Sequence, residues 1–114
     1  MTDWKCGVNP KFENEAGAQF VFIFQNFWKF ENVDSKSVTT RRRYSNALHA
    51  LGGYLIGEAI RFDKYDQHPI QMLLDSLSPF EGPLVSLDNE AFQREIDTVC
   101  RKLYKYMQQT QINL

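Results

Sequence analysis

Long apolar runs, histidine and cysteine are scarce in this chain of 114 residues, and each shortage removes a class of function. The longest apolar run, Phe20 to Phe24, is far shorter than the roughly 20 residues that cross a bilayer, so no membrane partner is expected. Two cysteines, Cys6 and Cys100, allow at most one disulfide, and a domain of this size folds without one, so reduced thiols are expected. His49 and His68 form no spaced ligand set with them. There is no C-x-x-C, no H-E-x-x-H and no paired Glu-x-x-His, which excludes the usual zinc and di-iron signatures. Gly52-Gly53 falls inside a predicted helix rather than after a strand, so it is not a phosphate loop, and no cofactor is expected.

An excess of one charge is also missing. Thirteen Lys and Arg stand against 14 Asp and Glu, so the molecule as a whole does not attract nucleic acid or anionic lipid. Binding of that kind needs a local patch, which leaves nucleic acid open as a partner. The first ten residues, MTDWKCGVNP, lack the basic start and apolar run of a secretory signal, and the expectation is a cytoplasmic protein.

Aromatic residues, by contrast, are plentiful: nine Phe, five Tyr and two Trp, enough for a few helices to fill a thick core. The chain reads as one domain over 1–114, with a tether at 1–8 whose Trp4 could dock on the core and a frayed tail at 109–114. Asn9-Pro10 is a helix start, cap then first position. Phe12, Ala16, Phe20, Ile23, Phe24, Phe27 and Phe30 then recur at helical spacing, with Phe22 pointing away from them. A strand at Phe20 to Phe24 is the competing reading, because FVFIF is rich in β-forming residues.

Ser35 or Ser37 caps a second, central helix whose core face is Tyr44, Ala47, Leu48, Leu51, Leu55, Ala59 and Phe62. Pro69 opens a short third helix with Ile70, Leu73, Leu74 and Leu77 inward, and Pro79 stops it. Asp88 is the expected cap of the last helix, whose stripe is Phe92, Ile96, Val99, Leu103, Tyr106 and Met107. The expected fold is all-α, an antiparallel four-helix bundle with three long helices and one short one; a strand at Phe20 to Phe24 would make it α+β instead.

The odd residues lie mostly on the central helix. Arg41, Arg42 and Arg43 crowd its start, where the helix dipole disfavours cations by about 0.3–1 kcal/mol each. Either Glu31, Asp34 or acids of the last helix offset them, or they form an anion site. Asn46, Ala50, Gly53 and Gly57 make a small-residue groove that lets another backbone close in, either inside the monomer or across a homodimer, with Phe22 as added contact surface. Glu58 interrupts the apolar face beside Tyr54, and together they suit a small apolar or cationic ligand.

Arg42, Asn46 and His49 share one helical face. The run RRYSNALH from Arg42 to His49 resembles the Arg-x(4 to 6)-His motif of HEPN domains, small helical bundles that often dimerise and include ribonucleases. That resemblance implies His49 as acid or base and Arg42 as phosphate stabiliser, although Arg43 stands where the family tends to place a small polar residue. The function expected first is a helical interaction or binding module, self-associating and without catalytic activity. A HEPN-like ribonuclease or RNA-binding protein and a small-molecule binder are the alternatives.

Overall fold

The computed structural model describes Trp4 and residues 7–110, and among them the chain is all-α, with four helices and no strand. The helices are α1 (Pro10–Phe30), α2 (Val38–Arg61), α3 (Pro69–Ser76) and α4 (Glu90–Gln109), with one 3-10 turn at Val33–Ser35 between the first two. Cys6, and with it the question of a Cys6–Cys100 pair, lies outside the described residues, as do residues 111–114 of the tail expected at 109–114; Gln109 is the last residue of α4 and Thr110 its C-cap.

The start of α1 is built as its sequence implies. The Asn9 side chain accepts from Phe12 N–H at 3.2 Å, and Pro10 takes the first helical position. The stretch Phe20 to Phe24 is helical, so period 3.6 wins over local β-propensity: Phe20, Ile23 and Phe24 are buried while Phe22 is 65% exposed. Phe30 departs from the expected stripe. At the last turn of α1 it has run past the core and is 51% exposed, one face resting on Tyr106 at 5.0 Å.

α1 and α2 run antiparallel. Phe27 and Trp28, late in α1, meet Tyr44 near the start of α2, and Phe12, early in α1, meets Tyr65 just beyond the end of α2. Asn32 at φ 53° turns the chain between them, and Ser37 caps α2 by accepting from Thr40 N–H at 3.2 Å. Phe62 is not in the core either. It is the C-cap residue of α2, half-exposed, with the Arg61 guanidinium 5.2 Å and the Lys64 ammonium 5.6 Å from its ring centre.

α2 packs on both α1 and α4, and α3 lies against α1. The cap of α4 is Asn89, one residue later than expected, its side chain accepting from Phe92 N–H at 3.0 Å. From there Ile96, Val99, Cys100, Leu103, Tyr106 and Met107 are buried, and Phe92 at the first turn is only partly so.

Between α3 and α4 the chain is irregular, and three side chains of α4 satisfy its backbone. Gln93 Oε1 accepts from Val85 and Ser86 N–H, both at 2.9 Å, while its amide donates to Pro83 O at 2.9 Å and to Asp97 Oδ1 at 3.0 Å. Asp97 Oδ1 also accepts from Gly82 N–H at 3.1 Å, and Arg101 donates to Phe80 O at 3.1 Å. This strap runs backwards along α4 and leaves Phe80, Leu84 and Leu87 exposed.

Gly82 lets the strap close on Cys100: a Cβ there would stand 2.9 Å from the Cys100 Cβ. Burial, helped by the nearby charge of Asp97, pushes the Cys100 thiol from 9.0 up to about 12. A thiol whose folded pKa is raised supports the fold fully below its unfolded pKa and loses that support as pH climbs toward the folded value. Wild type is therefore expected to lose more stability between about pH 9 and pH 11 than Cys100→Ala does, read by urea melts at each pH. The same burial should leave Cys100 unreactive to an aromatic disulfide reagent at pH 8 until the chain unfolds.

Candidate functional site

The three arginines at the start of α2 diverge. Arg41 donates to Asp34 O at 3.2 Å, closing onto the turn before the helix. Arg42 is exposed, two turns from the exposed His49. Arg43 reaches across to α4, its Nε 3.5 Å from Glu95 Oε1. That pair is largely in solvent and stabilises by under roughly 1 kcal/mol.

Arg43 opens onto a cleft of about 260 Å³ between α2 and α4. Its lining brings Thr40, Arg43 and Tyr44 of α2 together with Arg94, Glu95, Thr98, Val99 and Lys102 of α4. Lys102 Nζ donates to the Tyr44 hydroxyl at 3.0 Å and sits 5.4 Å from the centre of that ring. The Tyr44 hydroxyl in turn points to Glu31 Oε1 at 3.5 Å. Three cations and three hydroxyls thus surround one carboxylate. Such donors favour an anion, with guanidinium forks able to take two oxygens at once.

Lys102 also lines a second cleft, of about 430 Å³, with Pro79, Arg101, Tyr104, Lys105, Gln108 and Gln109. Arg101 is held there by its bonds to Phe80 O and, at 3.2 Å, to Thr98 Oγ1, both neutral acceptors. Among the described residues no carboxylate lines this second cleft, and α4 carries none after Asp97, whose oxygen faces the strap.

The small-residue groove is filled from within the chain. The Trp4 indole lies over Gly52 and Gly53, where a Cβ on Gly52 would come within 2.7 Å of the ring and one on Gly53 within 3.3 Å. Its other neighbours include Phe20, Phe24 and the His49 ring, at 6.2, 6.2 and 5.9 Å between centres, and its N–H donates to His49 O at 2.9 Å. His49 is thus the outer lid of this aromatic stack. Asn46 is exposed, Ala50 is half-buried, and Gly57 has open space where a Cβ would point.

Glu58 is not sunk in the core as expected; it stands at its edge, half-exposed, 3.9 Å from Arg61. It does share a cleft with Tyr54, as their spacing implied, together with Leu55, Lys64, Gln67, Met72, Asp75 and Ser76. Lys64 and Arg61 beside the two acids make that cleft mixed in charge, a poor selector of a simple cation.

Glu13, which the sequence reading passed over, is the one buried charged residue among those described, 3% exposed. Its carboxylate accepts from Gly7 N–H at 3.0 Å, Val8 N–H at 3.1 Å and Asn9 N–H at 2.8 Å. The signal that could have found it is an acid in the first turn after an Asn-Pro start, a relative of the capping box.

Among the described residues no group of three or more His, Cys, Asp or Glu could hold a metal ion, and no helix is long and apolar enough to cross a membrane. Comparison of the chain with protein-family models, with curated proteins and with solved structures finds no match.

Proposed function

We propose that the chain is a small helical binding module, without catalytic activity, that docks an anionic partner on the cleft between α2 and α4. The observation that supports it is the gathering of Arg43, Arg94 and Lys102 from two helices around a cleft in which Glu95 is the one acid among the described residues. The arginine run contributes through Arg43 rather than as a block, and α4 supplies the other two cations. A homodimer through Gly53 has no part in this reading, because the indole of the same chain occupies that surface. Arg42 and His49 lie outside both basic clefts, and no ribonuclease chemistry is assigned to them.

Titration of isotope-labelled protein with polyphosphate and with poly-glutamate tests the reading. Backbone shifts are expected at Thr40, Arg43, Arg94, Thr98 and Lys102 with at least one of the two. Glu95→Gln removes the opposing charge and releases Arg43, so it should tighten that binding about fivefold, a gain of about 1 kcal/mol. No response in these residues to either polyanion would remove the proposed function.

A further inference from the structure

We infer that the anionic partner is single-stranded nucleic acid, laid along α4 from the Arg43–Arg94 cleft to the Tyr104 cleft; this rests on the anion-docking reading above. The two clefts meet at Lys102, so the cations form one strip rather than two sites. Arg94 to Lys105 spans eleven steps of helix, about 16 Å at 1.5 Å each, room for several successive phosphates and not for one isolated anion. Arg94, Arg101 and Lys102 direct their hydrogen bonds to neutral acceptors, which leaves their charge available to a backbone.

The apolar groups beside that strip favour a nucleic acid over an acidic peptide. Tyr104 lines the second cleft among Arg101, Lys102 and Lys105, and Phe80, 77% exposed, follows Pro79 on its rim with its carbonyl tied to Arg101. Flat rings interleaved with cations are what unpaired bases and phosphates need together, since every base has a face to stack. A duplex hides those faces. The overall charge of −1 means the attraction is confined to this strip, so salt should abolish it readily.

The test is fluorescence anisotropy with a labelled oligouridine of about 12 nucleotides over about 50–200 mM salt. Saturable binding is expected, with log affinity falling against log salt at a slope of about −2 to −3 for three or four phosphates. Lys102→Gln should weaken binding about tenfold and flatten the slope by about 0.7, whereas Lys102→Arg keeps both. Tyr104→Leu should weaken binding about tenfold at unchanged slope, because it removes a stacking face and no charge. Helix content by circular dichroism accompanies each variant. Equal affinity for a duplex, or binding indifferent to Lys102→Gln and Tyr104→Leu, overturns the inference. Binding of poly-glutamate but not of oligouridine at the same residues also overturns it while leaving the anion-docking function standing; binding of neither removes both.

Discussion

Trp4→Ala is expected to lower the stability of the fold by about 3–5 kcal/mol, the range for emptying a buried aromatic site. The indole is 7% exposed, packs against Phe20 and Phe24, and places its N–H on the His49 carbonyl, so truncation opens a cavity and removes a hydrogen bond from α2. A chain of this length should lose roughly 10–20 °C in melting temperature. Gly52→Ala probes the same contact from the other wall. Its Cβ would enter the indole ring, and because α2 backbone carries it, the ring must leave. The two changes remove one interaction, so the double variant should be no worse than the more damaging single, a coupling that urea melts of the cycle would read. Additive losses would show that Trp4 and Gly52 act apart.

Glu13→Gln is the second large effect. The bonds that Gly7, Val8 and Asn9 make to the carboxylate all come from N–H donors, and an amide offers one oxygen and turns two hydrogens toward the rest. Hydrogen bonds to a charged acceptor contribute about 1.5–3 kcal/mol each and are not additive, so a loss of about 2–3 kcal/mol is expected by urea denaturation. Glu13→Ala should be worse, since it leaves the Gly7, Val8 and Asn9 groups facing a void. An unchanged midpoint in Glu13→Gln would mean that water replaces the carboxylate without penalty. Amide exchange at Val8 and Asn9 should rise in step with the loss of stability, since those protons are held by the group removed.

The four helices were legible because each carries its core at i, i+3 and i+4 after a start signal: the Asn9 cap before Phe12, the Ser37 cap before Tyr44, Pro69 at the first position of α3 behind the His68 cap, and, one residue past the expected Asp88, the Asn89 cap of α4. Periodicity also decided Phe20 to Phe24 correctly, since the alternation a strand needs is broken by Ile23 and Phe24 facing the same way. What periodicity cannot see is where a stripe stops. Phe30 and Phe62 keep the spacing, yet each sits at a helix end where its neighbours cover only part of the ring.

The site was less legible, for a related reason. The arginine run drew attention to α2, but Arg94 and Lys102 belong to a helix whose packing on α2 no local pattern announces. Glu95 and Lys102, two turns apart on α4, reach adjacent residues of α2, so α4 crosses the start of that helix. That crossing is a product of side-chain fit over the whole core. The glycines were recognised as room for a close approach, yet what fills the room is one side chain 48 positions before Gly52 in the chain.

That distance sets an order of events. The slot for Trp4 has walls from α1 and from α2, so it exists only once those helices have paired. Trp4 is therefore expected to enter late, after the barrier to folding is crossed. Its removal should then leave the refolding rate nearly unchanged and shorten the lifetime of the native state, the signature of a contact absent from the transition state. On that order the indole would be a latch closing on a finished frame, and it should govern how long the fold lasts more than how fast it forms.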